Sequence, residues 1–412
     1  MNHLVRNSLI LLILFITQFY FLVKLSKTLP GRYPKLDKLN NKYFKTGFLI
    51  LINLYPLIFL FIWAVNKMFS SSIVYPESLF MDNFIVLPFW IVTLIILQSD
   101  LFFLTIDILK LLIYPFLKKY REKISRIEKH LIFAVFIVFL FYVPVRVYYD
   151  WNTVSVRVEK FSKPGLPSEL DGFRIVFISD IQVDRYTNHK RVERYIEKVN
   201  ALNPDLVLMG GDVITGSPDY IEKSAEYIGK INSIYGVYSC IGDHDNWAYR
   251  ENTARSRREV TQALASQNVK MIDNDRVRLI VENSKIDISF ITNTYVQQVS
   301  NSVLDSLSRI NKDSDLNIFL THQPRENLVN KASKAGFDLM LAGHTHGGQV
   351  TLLYPFLNIT PTMFETKYIK GDFNVGKMRL VVTRGLGMSL APVRYNATPE
   401  ITVIILESGN PD

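Results

Sequence analysis

The chain has few of the residues that mark several protein classes. It contains one cysteine, Cys240, among 412 residues, so a disulfide framework within the chain is impossible. Its place in an apolar run is typical of a small buried side chain. Residues 151–412 contain 30 Lys plus Arg and 30 Asp plus Glu, so this part lacks the basic excess of a nucleic-acid-binding protein. We therefore predict no disulfide scaffold and no nucleic-acid partner.

Charged residues are also scarce in long stretches of the first 150 residues. Four apolar stretches cover about residues 8–24, 46–66, 84–106 and 130–148. Each is long enough to cross the ~30 Å hydrocarbon core of a bilayer as a helix. None has the small-residue cleavage site of a signal peptide, so we expect the first to be retained. The sequence predicts a transmembrane region over residues 1–150, with about four helices, and a second domain over residues 151–412.

The basic residues predict how the membrane region is oriented. The formal net charge of +9 arises entirely before residue 151, where 17 basic residues face 8 acidic ones. They concentrate in two loops, at residues 24–45 and 118–129, whereas the segment between the second and third stretches has almost none. The first loop carries Lys27, Arg32, Lys35, Lys38 and Lys42. By the positive-inside rule both loops are cytoplasmic, so the second domain is predicted to be extracytoplasmic.

Two carboxylates, Asp100 and Asp107, lie in or next to the third stretch. They are seven residues apart and share a helix face. An ionisable group inside a membrane is a functional candidate, and a transporter or receptor with a regulatory second domain is one hypothesis. The few charges and the lack of an internal repeat give that hypothesis little support. We favour positions near the interface or against neighbouring helices.

The second domain alternates apolar runs with helical patterns, as an α/β fold does. Five of the runs are followed within three residues by Asp or His. These runs cover residues 173–178, 205–209, 236–241, 316–320 and 337–341. A single strand-end Asp is more often a turn or helix-capping residue. Five in order are hard to attribute to capping, and the carboxyl ends of strands are where ligands bind in open α/β sheets. These ends predict a polar site at one sheet edge.

The residues at these ends form an ordered set of motifs. They are Asp180-x-Gln182, Gly211-Asp212, Gly242-Asp243-His244-Asp245, His322 and Gly343-His344-Thr345-His346. The set resembles the calcineurin-like metallophosphoesterase superfamily, whose blocks are D-x-H, G-D, G-N-H-D, H and G-H-x-H. The resemblance covers about residues 170–405. The tail, with Thr383-Arg384-Gly385-Leu386-Gly387, Pro392-x-Arg394 and Pro399-Glu400-Ile401, is similar to the membrane-anchored, extracytoplasmic branch of that superfamily.

The resemblance implies a four-layer α/β/β/α sandwich and hydrolysis of phosphate mono- or diesters by two divalent metal ions. Such ions neutralise the ester and lower the pKa of a bridging water. The implied ligands are Asp180, Gln182 and His346 at one ion, Asp243, His322 and His344 at the other, and Asp212 between both. The implied catalytic residues are His244, facing the phosphoryl group, and Asp245 or a neighbouring carboxylate, which would orient it.

Two positions depart from the family pattern. Gln182 stands where the family usually has His, which favours harder ions such as Mn²⁺ or Mg²⁺, with Fe²⁺ or Zn²⁺ as alternatives, or weakens one site. Asp243 stands where Asn is usual, and its charge either attracts the metal or repels the substrate. Both alternatives stay open on the sequence. A degenerate metal-binding domain that regulates a membrane protein is therefore the alternative to an active enzyme.

The segment after the last motif is apolar. It contains Leu352, Leu353, Tyr354, Pro355, Phe356, Leu357, Ile359 and Phe364. Such a segment is either packed locally or forms a surface that meets a bilayer or acyl chains. With a membrane anchor, it favours a lipid-linked or envelope-linked phosphoester substrate. A cytosol-facing UDP-diacylated-sugar pyrophosphohydrolase is the alternative, and the predicted topology opposes it.

Overall fold

The computed structural model describes residues 3–28, 42–69, 78–389 and 391–409. The chain forms two compact units, Met1–Tyr148 and Tyr149–Asp412. The basic residues Arg32, Lys35 and Lys38 of the first predicted loop lie outside the described residues.

The first unit is helical. Its helices are α1 (His3–Thr28), α2 (Lys42–Ile52), α3 (Leu54–Phe69), α4 (Leu79–Met81), α5 (Leu87–Ile113) and α6 (Arg121–Asn152), whose last residues belong to the second unit. A π-helical turn, Asp82–Val86, joins α4 to α5. Among the described residues three stretches are long and apolar enough to cross a membrane: Leu9–Thr28, Leu79–Ile113 and Lys118–Asn152.

The second predicted span coincides with a bent pair of helices. Helices α2 and α3 meet at an angle of 66°, so a fourth span exists only if this pair is one span. The break lies at Asn53, just before Pro56. Proline has no amide hydrogen to donate to the carbonyl of Ile52, and its ring crowds the preceding turn. The sequence pattern of about four spans therefore becomes three continuous helices and one bent pair.

The two carboxylates of the membrane region have different surroundings. Asp107 accepts a hydrogen bond from the Tyr20 hydroxyl at 2.7 Å and forms an ion pair with Lys24. Lys24 also lies 3.3 Å from Glu128. Asp107 thus faces a neighbouring helix. Asp100 is buried, and neither of its carboxylate oxygens has a hydrogen-bond partner among the described residues.

The second unit contains two six-stranded mixed sheets. The strand order of the first sheet is β1 (Ser155–Pro164), β12 (Glu400–Gly409), β2 (Arg174–Ile178), β3 (Leu206–Met209), β4 (Val237–Cys240) and β5 (Val269–Ile272). The order of the second sheet is β10 (Gly371–Val375), β11 (Met378–Val382), β9 (Leu339–Ala342), β8 (Leu316–Thr321), β7 (Ser284–Ile291) and β6 (Asp275–Val281). The helices are α7 (His189–Asn200), α8 (Ile221–Ile228), α9 (Thr253–Ser266), α10 (Asn301–Leu307) and α11 (Glu326–Ala335).

Three apolar clusters hold the layers of this unit together. Alternate residues of a strand point to opposite faces of its sheet. Val176 on β2 therefore packs in the cluster with Val192 of α7, whereas its neighbour Phe177 packs in the cluster that fills the space between the sheets. On the far side of the second sheet, Phe319 packs with Val329 of α11. The layers are thus helix, sheet, sheet, helix, which is the predicted sandwich.

The strand registers bring the candidate residues to one edge. Strands β2, β3 and β4 are parallel neighbours, and so are β8 and β9. The last residue of β2, Ile178, lies opposite Met209 at the end of β3, and Thr321 at the end of β8 lies opposite Ala342 at the end of β9. The polar residues that follow each strand therefore emerge together.

The packing between the sheets predicts a specific stability difference. Ile318 is fully buried between the sheets, whereas Ile280 on β6 of the same sheet is 53% exposed. We expect Ile318→Ala to lower the free energy of unfolding by about 2–5 kcal/mol, because the methylenes it loses leave a cavity. The control, Ile280→Ala, changes it by about 0.5 kcal/mol or less. Thermal unfolding of both variants in detergent measures the difference, and equal melting temperatures would contradict the layer assignment.

Candidate metal centre

The edge where the parallel strands end carries a buried group of carboxylates and imidazoles. Asp180, Asp212 and Asp243 follow strands of the first sheet, and His322 and His344 follow strands of the second. The three carboxylates and His322 are almost completely buried. Burying ionised groups is unfavourable unless opposite charges or hydrogen bonds compensate them. The contacts of these side chains therefore decide what the site can hold.

One candidate ligand group consists of Asp243, His322 and His344. The Asp243 Oδ2 atom lies 3.2 Å from His322 Nε2 and 2.9 Å from His344 Nδ1. The two ring nitrogens are 3.3 Å apart. One ligand atom from each residue lies within 4.8 Å of the others. Two imidazole nitrogens and a carboxylate oxygen that converge in this way suit a divalent transition metal.

The second candidate group consists of Asp180, Asp212 and His322, whose ligand atoms also lie within 4.8 Å of one another. Asp212 Oδ2 lies 3.3 Å from His322 Nε2 and 3.1 Å from Gln182 Nε2. His346 completes this side, because its Nε2 atom lies 3.2 Å from Gln182 Nε2 and 3.6 Å from Asp180 Oδ1. His322 belongs to both groups, and Asp212 lies between His322 on one side and Gln182 on the other.

Hydrogen bonds fix which nitrogen of each imidazole faces the group. His322 Nδ1 lies 2.6 Å from the carbonyl oxygen of Gly210, which can only accept, so Nδ1 carries the proton and Nε2 is left as a ligand atom. His344 Nε2 lies 3.1 Å from a carboxylate oxygen of Glu365, which leaves Nδ1 toward Asp243. This hydrogen bonding of the distal nitrogen is typical of metal-binding histidines.

The backbone at these residues is unusual. Asp180, Gln182, Asp212, His344 and His346 all have positive φ angles, between 48° and 70°. Residues with a Cβ rarely adopt this left-handed region, and each such residue costs of the order of 1–3 kcal/mol. Strain of this kind is concentrated at functional sites. It is therefore an independent indication that the positions of these side chains matter more than local stability.

Two glycines allow the segments to approach each other. A Cβ atom at Gly343 would lie 1.9 Å from the hydroxyl oxygen of Ser179, and one at Gly242 would lie 2.2 Å from an oxygen of Asp212. Neither distance is tolerable for non-bonded atoms. The glycine of each motif thus makes room for the carboxylate or hydroxyl of the neighbouring motif.

The charges of the group favour a bound cation. Burial alone would raise the pKa of Asp212, but the positive charges of His322 and His244 outweigh it and lower that pKa to about 2. Burial would likewise lower the pKa of His322, but Asp212 and Asp243 raise it well above the usual range. The carboxylates therefore remain ionised and stabilise positive charge among them. The same negative charges would stabilise a divalent cation.

An orphaned atom tests whether a metal fits. The side-chain oxygen of Gln182 is buried and has no hydrogen-bond partner among the described residues. An unpaired buried amide oxygen is unfavourable. The atom of Gln182 that faces Asp212 and His346 is Nε2, so a 180° rotation of the amide is needed to turn Oε1 toward an ion held there. Coordination to that ion would then satisfy the oxygen. The donor set of carboxylates, imidazoles and one amide oxygen therefore fits divalent ions.

Comparison with known proteins agrees with this geometry. The family model described as calcineurin-like phosphoesterase matches residues 173–348. An uncharacterised metallophosphoesterase of Bacillus subtilis is 31% identical over 248 residues, which are 60% of this chain and 82% of that protein. The chain belongs to the calcineurin-like phosphoesterases. It is therefore a phosphoester hydrolase of a family that depends on two metal ions.

Other relatives of this calcineurin-like phosphoesterase carry a membrane region. A transmembrane protein with metallophosphoesterase domain from Danio rerio is 28% identical over 257 residues, which cover 62% of this chain and 56% of that protein. Together with the apolar helices, this relative indicates membrane association. A crystal structure of a dimetal phosphatase from Danio rerio aligns with a TM-score of 0.36 and 10% identity, over 58% of this chain and all of that one.

The structure brings together all seven residues named as metal ligands from the sequence, and it holds His244 beside them. The His244 backbone N–H donates to Asp212 Oδ1 at 2.7 Å, and its ring packs on Trp247 at 4.4 Å between centroids. Its Nδ1 contacts the carbonyl oxygen of Thr215, and its Nε2 lies 3.2 Å from the Ser389 hydroxyl.

Asp245 has a different place from the one expected. Its carboxylate accepts hydrogen bonds from the backbone N–H groups of Gly242 at 2.8 Å, Asp212 at 3.0 Å and Val213 at 2.8 Å. Because these amides contact both of its oxygens and the Thr215 carbonyl contacts His244 Nδ1, the described residues show no contact by which Asp245 itself would orient the His244 ring. Burial first, and then the charge of Asp212, raise the pKa of Asp245 to about 6. Asp245 instead fixes the loops that carry Asp212 and Asp243.

Three contacting residues were not expected from the sequence. Gln323 donates to both oxygens of Asp243, at 3.0 and 2.7 Å, and Glu365 accepts from His344. Arg394 is fully buried and lies 3.2 Å from His346 Nδ1, and burial lowers its pKa to about 10. Gln323 is adjacent to a motif residue and Arg394 belongs to the tail motif. No sequence signal marks Glu365, which reaches the site from the apolar segment.

Glu365 is predicted to control metal affinity through His344. Glu365→Gln removes the charge that holds His344 Nε2–H, so Nδ1 becomes a weaker ligand. We expect the affinity for Mn²⁺ to fall about 10-fold or more. Calorimetric titration of Mn²⁺ into chelator-treated protein measures it. The control is Glu326→Gln, because Glu326 is exposed and lies 3.8 Å from Lys367. Equal affinities of the two variants would contradict the role of Glu365.

Proposed function

We propose that the chain is a membrane-anchored phosphohydrolase that cleaves phosphate mono- or diesters at a site for two divalent metal ions. The observation that carries this proposal is the position of Asp212. Its Oδ2 atom is 3.3 Å from His322, which we assign to one ion, and 3.1 Å from Gln182, which we assign to the other, so one carboxylate can serve both ions. A shared carboxylate is the feature that distinguishes a two-ion site from a single-ion site.

The proposed ligands divide between two ions. One ion is assigned to Asp180, Gln182 and His346, the other to Asp243, His322 and His344, and Asp212 contributes to both. When bound, the two ions neutralise phosphoryl oxygens and lower the pKa of a coordinated water. The protein supplies the anionic cluster that binds the ions and the fixed imidazole tautomers that ligate them.

His244 is proposed to act on the phosphoryl group. The Thr215 carbonyl and the Trp247 ring hold its imidazole, and Nε2, which lies 3.2 Å from the Ser389 hydroxyl, is the nitrogen proposed to meet the substrate. In the protonated state Nε2–H donates a hydrogen bond to a phosphoryl oxygen or a proton to the leaving oxygen. Such a donor stabilises charge that develops in the transition state. Asp245 supports this arrangement only through the backbone of the neighbouring loops.

The extra charge at Asp243 is proposed to serve the metal rather than repel the substrate. Its Oδ2 atom faces His322 and His344, and its Oδ1 atom accepts hydrogen bonds from the Tyr295 backbone at 2.6 Å and from Gln323 at 3.0 Å. Both carboxylate oxygens of Asp243 thus contact groups of the protein. With an amide oxygen from Gln182 on the other ion, the donor set favours Mn²⁺, with Mg²⁺, Fe²⁺ or Zn²⁺ as alternatives.

The proposed substrate is a phosphoester linked to a lipid or to an envelope polymer. The chain carries helices apolar enough to cross a membrane, which hold the hydrolase at a membrane surface. A tether raises the local concentration of the enzyme toward membrane-bound substrates and gives no advantage with a freely diffusing one. We propose that the phosphoesterase unit is extracytoplasmic, because the basic residues of the helical unit favour cytoplasmic loops.

Metal content and activity test the proposed site. The full-length protein in detergent is expected to contain close to two Mn-class ions per chain by elemental analysis and to cleave bis-p-nitrophenyl phosphate. His346→Ala removes the imidazole that we assign to the ion of Asp180 and Gln182, so metal content is expected to fall toward one ion per chain and turnover by about 100-fold or more. His189→Ala is the control, since His189 begins α7 and is exposed. A metal-free, inactive protein after Mn²⁺ addition would exclude the proposal.

A labelling experiment tests the proposed topology. Cys240 is fully buried, and burial raises its pKa far above the usual range, so it does not react with maleimides at neutral pH. Ile234 is 74% exposed, so Ile234→Cys gives a single reactive thiol. We expect a membrane-impermeant maleimide to label it in intact cells. Labelling only after lysis would place the unit in the cytosol and favour a cytosolic lipid-precursor substrate.

A further inference from the structure

The segment of residues 352–364, which we call the aromatic loop, exposes large apolar side chains next to the candidate metal centre. Phe356 is 83% exposed and Phe364 is 88% exposed. Tyr354, Leu357 and Met363 are also exposed. Isolated exposed apolar residues are common, but several in one loop beside a site mark an interaction surface.

The base of the aromatic loop is firmly attached to the site. The Leu352 N–H donates to the Ile359 carbonyl at 2.8 Å, and Thr360 Oγ1 donates to the carbonyl oxygen of Gly348 at 2.7 Å, two residues after His346. Glu365, which directly follows Phe364, accepts from His344. The tip thus projects its rings outward from a hydrogen-bonded base, so their exposure is a property of the fold.

Basic side chains accompany the exposed rings. Lys370 lies with its ammonium 5.3 Å from the centre of the Tyr354 ring, and Lys367 is exposed. Both lysines line a cleft of about 200 Å³ at the base of the loop, together with Asn358 and Thr360. Aromatic rings beside lysines are typical of segments that lie in the interface of an anionic bilayer, where the rings enter the acyl boundary and the lysines meet phosphate headgroups.

We propose that the aromatic loop is a membrane-docking surface that inserts Phe356 and Phe364 into an anionic lipid bilayer while Lys367 and Lys370 contact lipid phosphates. A bilayer is the occupant because the same chain contains helices that can span one, which keeps the loop near lipid at high effective concentration. The inference rests on the membrane anchoring in the proposed function. It is independent of the hydrolytic chemistry.

Fluorescence quenching in lipid nanodiscs tests the docking surface. The full-length protein carries an environment-sensitive dye, NBD, at Phe356→Cys, with Ile234→Cys as the control. Ile234 is similarly exposed but precedes β4, at the sheet edge opposite the metal centre. In nanodiscs of phosphatidylglycerol with brominated acyl chains, we expect a blue-shifted emission at position 356. The fractional quenching is expected to be at least about threefold larger there than at position 234.

The outcomes of the quenching experiment distinguish a loop that contacts lipid from one that contacts protein. Equal quenching at both positions, or stronger quenching at 234, overturns the proposal. A blue shift at 356 without quenching by brominated lipid also overturns it, because the loop then packs against protein, such as a second copy of the chain. Reversal of both lysine charges, Lys367→Glu with Lys370→Glu, is expected to reduce quenching at position 356 at least about twofold. Unchanged quenching would overturn the proposed contact of these lysines with lipid phosphates. Strong quenching in a protein that fails to hydrolyse phosphodiesters would contradict the proposed function alone.

Discussion

The burial of three carboxylates at one sheet edge is the constraint on which the rest of the site depends. Asp180, Asp212 and Asp243 are at most 2% exposed, and like charges in a medium of low polarisability repel each other strongly. Imidazoles from the second sheet and backbone amides compensate this charge, which requires both sheets to end at the same place. The glycines that permit the close approach and the left-handed residues that aim the side chains follow from that requirement. A cation is the natural partner of such an arrangement.

The imidazoles of the two candidate ligand groups have different surroundings. His322 and His344 each donate their distal N–H to an acceptor, the Gly210 carbonyl and the Glu365 carboxylate, which makes the facing nitrogens more basic. His346 has the opposite environment, because its Nδ1 atom faces the donor Arg394. Burial and the Arg394 charge lower the pKa of His346 well below its usual range. Since Gln182 also offers only an amide oxygen, we expect the Asp243 group to bind a transition metal more tightly than the Asp180 group.

The sequence predicts the part of the site that lies directly after strands, and it misses the part that forms between distant segments. Apolar runs that end in Asp or His identify the strand ends, because the fold requires parallel strands to finish at one edge. The hydrogen-bond partner of His344 is Glu365, and no periodic pattern in the sequence connects the two residues. The partners of Asp245 are backbone amides, and a sequence motif does not show that they bind this carboxylate in place of a side chain. Similarly, hydropathy predicts the second membrane segment but not its 66° bend, which arises from the backbone near Pro56. The pattern of apolar runs thus predicts which residues lie close together. The role of each side chain depends on which of its neighbours forms a hydrogen bond with it, and the pattern does not show this.

The neighbouring residues Phe364 and Glu365 connect the outer surface of the protein to its metal centre. Phe364 projects into solvent, and the next side chain holds a metal-facing imidazole, so one peptide bond separates an exposed ring from the support of a ligand. The same segment is attached to both ligand strands, through Thr360 to Gly348 and through Thr366 to Pro324 at 2.9 Å, which is two residues after His322. Hydrogen bonds thus connect the base of the aromatic loop to the segments that follow β8 and β9, and the Glu365 side chain connects it to His344. Because the acceptor at one ring nitrogen sets the basicity of the other, the position of Glu365 bears on the ligand strength of His344.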